Sequence, residues 1–152
     1  MSFSWIGLII ILLPLLPNIV FFSFPPQDVP SNLKDGGMII NILEHGGRIL
    51  YCSTMILLKY KPTVNFKWYY LIGMGICLLL YYALWGRYFL NGQTFHSLFE
   101  KVGGIPIPMA ILPVLYYLLA ALWFINVPGI VTIILFGIGH IFNSYITFNQ
   151  IR

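Results

Sequence analysis

Residues 3–24 read FSWIGLIIILLPLLPNIVFFSF and contain no Asp, Glu, Lys, Arg or His. About 20 consecutive apolar residues are enough for an α-helix to cross the hydrocarbon core of a bilayer. The stretch therefore predicts a transmembrane helix. Pro14 and Pro17 each remove a backbone N–H donor, so we expect a kink near its middle. Asn18 is placed to bind a carbonyl that the prolines leave unpaired.

The rest of the chain has the same apolar character. Hydrophobic residues make up 59% of the 152 residues and charged residues 8%, whereas soluble domains carry about 25% charged residues. A chain that spans lipid must satisfy its own backbone hydrogen bonds, which leaves helices or closed barrels. Because the apolar runs are long and continuous, we expect an all-α, polytopic transmembrane helix bundle.

Four further runs are each close to the length that crosses a bilayer: residues 36–58, 67–88, 106–125 and 128–147. Together with residues 3–24 they give about five spans. A loop rich in proline and charge, residues 25–35, separates the first two spans. No internal repeat is visible, so we expect one membrane domain over residues 1–152.

An amphipathic pattern lies between the third and fourth spans. Apolar residues recur there at helical spacing: Phe95, Leu98, Phe99 and Val102. This spacing predicts a short helix over about 94–102 that lies in the membrane interface, with His96 and Glu100 on its wet side.

Orientation follows from the loop 59–67, which contains three lysines and no acidic residue. Short loops rich in lysine and arginine stay on the cytoplasmic side. We therefore expect a multi-pass cell-membrane protein with a cytoplasmic N-terminus. No basic cluster precedes the first apolar run, so we expect that run to remain as a helix and not to be a signal peptide.

A polar stripe interrupts the second span. Asn41, Glu44, Arg48 and Tyr51 are three or four residues apart and share one helix face, with His45 on its flank. An ionised side chain at mid-membrane costs about 2.5–3.5 kcal/mol. The stripe must therefore face protein or water, and Glu44 and Arg48, four residues apart, are spaced to pair.

A second stripe lies in the fifth span, at His140, Asn143, Ser144 and Thr147. With a rise of about 1.5 Å per residue, Glu44 lies roughly 12 Å and His140 roughly 10 Å inside their spans. In a five-span arrangement both depths are measured from the same membrane face.

Arg87, at the end of the third span, belongs to that face too. The sequence therefore predicts one polar cavity that opens there. Its expected ligand-binding residues are Glu44, His45, Arg48, Arg87, His140 and Asn143. The alternative interpretation is that the polar groups only hold helices together.

Other chemistry has weaker support in the sequence. Glu44, His45 and His140 are possible metal ligands, but no HExxH-type spacing is present, so neither a metal nor a cofactor is expected. The eight basic residues are scattered, which argues against nucleic acid and leaves the lipid bilayer as the main partner. Catalytic residues are unknown.

Three functions remain open. The first is binding or transport of a small polar ligand or a lipid head group in the polar pocket. The second is an intramembrane enzyme acting on a lipid-borne substrate, with Glu44, His45 or His140 as acid–base groups. The third is a structural or immunity-type membrane subunit whose polar stripe is an assembly surface.

Several short segments resemble a group of uncharacterised small polytopic membrane proteins of Gram-positive bacteria. The segments are Leu16-Pro17-Asn18, Phe24-Pro25-Pro26, Leu43-Glu44, Gly47-Arg48, Ile105-Pro-Ile-Pro-Met-Ala110 and Phe136-Gly-Ile-Gly-His140. The resemblance extends over most of the chain and implies a membrane bundle. It implies no activity, cofactor or ligand.

Overall fold

A computed structural model of the protein describes residues 3–58 and 67–152. These residues form five α-helices: α1 (Trp5–Ser23), α2 (Met38–Leu57), α3 (Trp68–Leu90), α4 (Pro108–Trp123) and α5 (Val127–Gln150). No β-strand occurs in these two ranges, apart from an isolated bridge between Val102 and Ile105. The predicted all-α helical bundle is confirmed.

Three of the helices, α1, α3 and α5, are long and apolar enough to cross a membrane, which supports a membrane location. In α2 the polar stripe lowers the hydropathy, and α4 has 16 residues. α5 ends at Gln150, three residues beyond the predicted span, because nothing in its last turn breaks the helix. The lysine-rich loop that predicts orientation lies, at residues 59–66, outside the described residues.

The helix predicted at 94–102 is wrong in extent. Only a single 3-10 turn forms there, His96–Leu98. The Ser97 hydroxyl donates to the Thr94 carbonyl at 2.7 Å, a local bond that competes with helix formation. Gly103 and Gly104 then adopt left-handed backbone angles, with φ of 59° and 84°, and turn the chain into the Val102–Ile105 bridge.

The helices form a ring around a central space. α2 packs along α5, α5 contacts α4, and α4 contacts α3, while α1 touches α2, α3 and α4 and closes the ring. Successive helices run in opposite directions. The Ser4 N–H donates to the Ile56 carbonyl at one end of the bundle, and Gln150 and Lys34 exchange hydrogen bonds at the other end. We call the second end the loop face.

Two glycines let α2 and α5 approach closely. A Cβ atom at Gly47 would lie 2.5 Å from the Phe136 backbone nitrogen, and one at Gly139 would lie 2.5 Å from the Glu44 backbone nitrogen. Small residues of this kind permit close helix packing in lipid, where helices gain little from hydrophobic burial. The contact is reciprocal, because each helix supplies one glycine.

A tyrosine from α3 repairs the proline-interrupted helix α1. Pro17 has no N–H for the Leu13 carbonyl four residues earlier, and the Tyr82 hydroxyl donates to that carbonyl at 2.6 Å. The sequence predicts this role for Asn18, but the Asn18 amide donates to the Pro14 carbonyl and to the Tyr81 hydroxyl. Repair therefore comes from a neighbouring helix.

The outer surface of the bundle is apolar. Phe22 is 81% exposed, Leu79 is 72% exposed and Leu90 is 85% exposed. Exposed apolar surface on this scale would cause aggregation in water. It matches a bundle whose outer side chains face lipid.

Replacing Gly139 with alanine should separate α2 from α5, because its Cβ would meet backbone atoms that cannot rotate away. We expect a loss of about 1–3 kcal/mol in the free energy of unfolding, measured in neutral detergent. Gly75→Ala is the matched control, since no heavy atom lies within 4 Å of its Cβ position. Equal stability of the two variants would contradict close packing at Gly139.

Candidate functional site

The Glu44 carboxylate collects hydrogen bonds from two helices. Its Oε1 accepts from Arg48 Nη2 at 3.3 Å and lies 2.9 Å from His140 Nδ1. Its Oε2 accepts from Asn143 Nδ2 at 2.6 Å. We call these four residues the Glu44 cluster. An ionised carboxylate only accepts hydrogen bonds, so His140 donates through Nδ1.

The Glu44 cluster lies well inside the bundle. Counted along the observed helices, Glu44 is about 9 Å from the start of α2 and His140 about 15 Å from the end of α5. Both ends belong to the loop face. The difference from the predicted depths arises because α2 begins at Met38, two residues late, and α5 continues to Gln150.

A chain of polar contacts joins the Glu44 cluster to the loop before α2. Asn143 Nδ2 donates to Asn41 Oδ1 at 2.9 Å, and Asn143 Oδ1 accepts from the Gly36 N–H at 2.7 Å. Asn41 in turn donates to Asp35 Oδ2 at 2.6 Å, and the Gly37 N–H donates to Asp35 Oδ1. The loop is therefore anchored on the same side chains that join α2 and α5.

The hydrogen bonds from the Asn41 amide and the Gly37 N–H hold the pKa of Asp35 below its usual value. A carboxyl with a lowered pKa in the folded state stabilises the protein above its unfolded pKa, and this contribution disappears as the pH falls through the folded pKa. We expect Asp35→Asn to lower the melting temperature at pH 7 and to have a diminishing effect toward pH 3. A difference that stays constant with pH would contradict this role.

A central cavity of about 130 Å³ lies between the five helices. Arg48, His140, Phe136 and Asn18 are among the residues that line it. The Arg48 guanidinium lies 5.1 Å from the centre of the Phe136 ring, and the His140 ring stacks on the same phenyl ring. The Arg48 side chain is 49% exposed, so the cavity is not sealed.

A second cavity of about 250 Å³ continues from the first toward the loop face. The two share Asn18, Tyr81 and His140. Its other lining residues include Trp85 and Leu98, which lie close to the loop face. We call it the vestibule, because it lies between the loop face and the central cavity and shares the His140 side chain with that cavity.

The structure brings together four of the six predicted binding residues, namely Glu44, Arg48, His140 and Asn143. His45 is exposed and lies outside the Glu44 cluster. Arg87 is bound elsewhere, to Glu100 Oε2 at 3.0 Å and to the Ser97 carbonyl at 3.2 Å.

The structure also locates the remaining polar residues of the stripes in α2 and α5. Ser144 lines the vestibule, and the Thr147 hydroxyl donates to the Asn143 carbonyl within α5. The Tyr51 hydroxyl donates to the Tyr117 carbonyl at 2.8 Å and so joins α2 to α4.

Most lining residues of the central cavity were not predicted from the sequence, and three of them stand beside Arg48 and His140. Phe136 carries the Arg48 guanidinium, Asn18 approaches from α1, and Tyr81 approaches from α3. A phenylalanine in an apolar run gives no sequence signal for this role. Asn18 is the one amide side chain of its span, but its partner on α3, the Tyr81 hydroxyl, cannot be predicted from spacing within the span.

Metal binding has little geometric support in the part of the chain described. Within residues 3–58 and 67–152, no group of three or more His, Cys, Asp or Glu side chains is placed to hold an ion. Glu44 and His140 are two such side chains in contact, and His45 lies apart from them.

Comparisons with protein-family models, with curated proteins and with solved structures find no match to this chain. The resemblance to small membrane proteins of Gram-positive bacteria therefore stays a prediction. Any functional conclusion has to rest on the site itself.

Replacing His140 with alanine should leave the Glu44 carboxylate short of one donor and remove the stacked ring from Phe136. We expect a loss of about 1–3 kcal/mol in the free energy of unfolding. His45→Ala is the matched control, because His45 is exposed, and its effect should stay within about 0.5 kcal/mol. Comparable losses in denaturant titrations of both variants would argue against the pairing.

Proposed function

We propose that this protein is a multi-pass cell-membrane protein that binds an anion in the central cavity. The anion is a small phosphate or carboxylate species, either free or carried on a lipid head group. Arg48 and His140 hold it, and the vestibule gives access from the loop face.

The observation that carries the proposal is the direction of the charges in the Glu44 cluster. Arg48 and His140 both line the central cavity, whereas Glu44 lines neither the cavity nor the vestibule. Glu44 is turned toward Asn143 and is 12% exposed. The cavity wall therefore presents cationic and donor groups, and among the described lining residues it presents no carboxylate.

Arg48 keeps donors for a ligand. A guanidinium carries five N–H groups. The Arg48 side chain donates from Nη2 to Glu44 and makes no other hydrogen bond to the described residues. The guanidinium lies over the Phe136 ring, with 5.1 Å from Cζ to the ring centre, a cation–π contact that helps to hold it at the cavity wall. Planar, bidentate donors of this kind suit phosphate and carboxylate groups.

His140 adds a second contact. Its Nδ1 is held by Glu44, so Nε2 is the ring nitrogen that remains for the cavity and the vestibule, both of which His140 lines. A protonated imidazole donates from both nitrogens. Arg48 brings the fixed positive charge on the cavity wall that favours an anion, and His140 Nε2 donates to that anion when both ring nitrogens carry protons.

The proposed topology has five spans. α2 places Glu44 against α5, and α4 has no ionisable Asp, Glu, Lys, Arg or His and packs between α3 and α5, so both helices are compatible with a position inside the membrane. The three lysines of the loop 59–67 favour a cytoplasmic N-terminus. The loop face, with the vestibule, would then be on the outer side.

An intramembrane enzyme is the second candidate. A carboxylate bound to Nδ1 fixes the imidazole tautomer and orients Nε2, which is the arrangement of a general base. The Glu44–His140 contact has this form. Its substrate would be a lipid-borne ester or phosphoester that reaches the central cavity.

The binding proposal predicts that anions stabilise the purified protein. In neutral detergent, inorganic phosphate or dihexanoyl phosphatidylglycerol should raise the melting temperature, and saturation at 100 times Kd corresponds to about 2.7 kcal/mol. Arg48→Gln should abolish the shift, and Arg48→Lys, which keeps the charge, should retain part of it. Lys34→Gln is the control for simple loss of a positive charge on the loop face.

The ligand that raises the melting temperature shows whether the site binds a free anion or a lipid head group. A shift with phosphate identifies a free anion, and a shift with phosphatidylglycerol alone identifies a lipid head group. If neither ligand distinguishes the wild type from Arg48→Gln, the Glu44 cluster only joins helices, as a structural subunit requires. Turnover of a lipid ester that His140→Ala abolishes would establish the enzyme instead.

A further inference from the structure

A groove lies on the outer side of the bundle, between α3 and α4, apart from the central cavity and the vestibule. Its α3 wall consists of Leu80, Ala83, Leu84 and Arg87, which follow one face at spacings of three, one and three residues. Ala83 is the smallest of these side chains and leaves a depression between its neighbours. The space measures about 480 Å³.

The α4 wall repeats the same spacing. It consists of Pro108, Ile111, Leu112 and Leu115. At the loop face the Val102–Ile105 bridge closes the groove and adds two apolar side chains. The two walls, together with the bridge at the loop face, define an elongated groove that runs along the helices.

The polarity of the groove changes along its length. Arg87 lies about 4.5 Å from the end of α3 and Leu80 about 15 Å from it. Every other side chain that lines the groove is apolar. A cation near the membrane surface above an apolar channel matches the order of a phospholipid, in which the phosphate lies above the acyl chain.

Arg87 is placed to accept an anionic partner. Its Nη1 pairs with Glu100, whose side chain is 47% exposed, and its Nε is buried without a hydrogen-bond partner among the described residues. An ion pair with an exposed carboxylate contributes little and is easily replaced. Lys101 follows Glu100, so Arg87, Glu100 and Lys101 carry a net charge of +1 by formal count.

From this geometry we propose that the groove binds one acyl chain of an anionic phospholipid, with the lipid phosphate at Arg87. None of its lining residues lines the central cavity or the vestibule. The lipid site is therefore separate from the anion site at Arg48, and either one can fail without the other.

Native mass spectrometry in neutral detergent tests the lipid site. Palmitoyl-oleoyl phosphatidylglycerol is titrated against the wild type, with the phosphatidylcholine of the same chains as the neutral comparison. In the Arg48→Gln variant, which removes head-group binding at the central cavity, we expect one phosphatidylglycerol to bind in preference. Arg87→Gln should weaken it about fivefold, the effect of one basic residue near a membrane surface, and should leave phosphatidylcholine binding unchanged.

Two variants fill the groove. Ala83→Phe occupies the depression, and Leu80→Trp, at a position 52% exposed, fills the deep end without disturbing the core. Both should weaken phosphatidylglycerol at least about tenfold, because the buried methylenes lose their site. Leu79→Phe, on the same helix but outside the groove, is the matched control. Melting temperatures of all variants verify folding.

Loss of binding in both filling variants with retention in Leu79→Phe and Arg48→Gln supports the lipid site. Unchanged binding in folded Leu80→Trp overturns it. Equal affinity for the two lipids, or an unaffected Arg87→Gln, overturns the role of Arg87. Loss of binding in Arg48→Gln alone would move the lipid to the central cavity and would contradict the groove.

Discussion

The Glu44 carboxylate is the constraint on which the rest of the bundle depends. A negative charge about 9 Å inside a helix of a membrane protein is costly unless donors surround it. Those donors come from α2 itself and from α5, so the two helices must meet at this level. Gly47 and Gly139 make the approach possible, because any side chain there would strike the opposite backbone.

The hydrogen bonds that Glu44 accepts determine which nitrogens of Arg48 and His140 remain for a ligand. Asn143 takes one carboxylate oxygen, while Arg48 and His140 share the other and keep their remaining nitrogens. Phe136 fixes the guanidinium and the imidazole against one ring. The neutralisation that joins α2 to α5 therefore also leaves a donor-rich wall on the central cavity.

The helices could be predicted from the apolar runs, and the Glu44 cluster from the spacing of its polar residues and from their depth in the spans. Both properties can be read from one sequence. What the sequence could not supply depends on neighbours. His45 is one residue, about 100°, from Glu44 on the helix, and only the position of α5 decides that Glu44 faces inward and His45 does not. The Tyr82 hydroxyl binds the unpaired Leu13 carbonyl because α3 packs beside α1, and no spacing within α1 reveals that partner.

The amphipathic pattern at 94–102 was misleading, because the glycine turn and the Ser97–Thr94 hydrogen bond outweigh apolar periodicity in so short a segment.

Helix joining and ligand binding use different atoms of the same cluster. Joining depends on the two oxygens of Glu44, on Asn143 Nδ2 and on His140 Nδ1. Binding would depend on the unused nitrogens of Arg48 and on His140 Nε2, which take no part in the hydrogen bonds to Glu44. A change at Arg48 removes the ligand donors and one hydrogen bond to Glu44 but leaves those from His140 and Asn143, whereas a change at Glu44 also removes every hydrogen bond that α5 makes to that carboxylate.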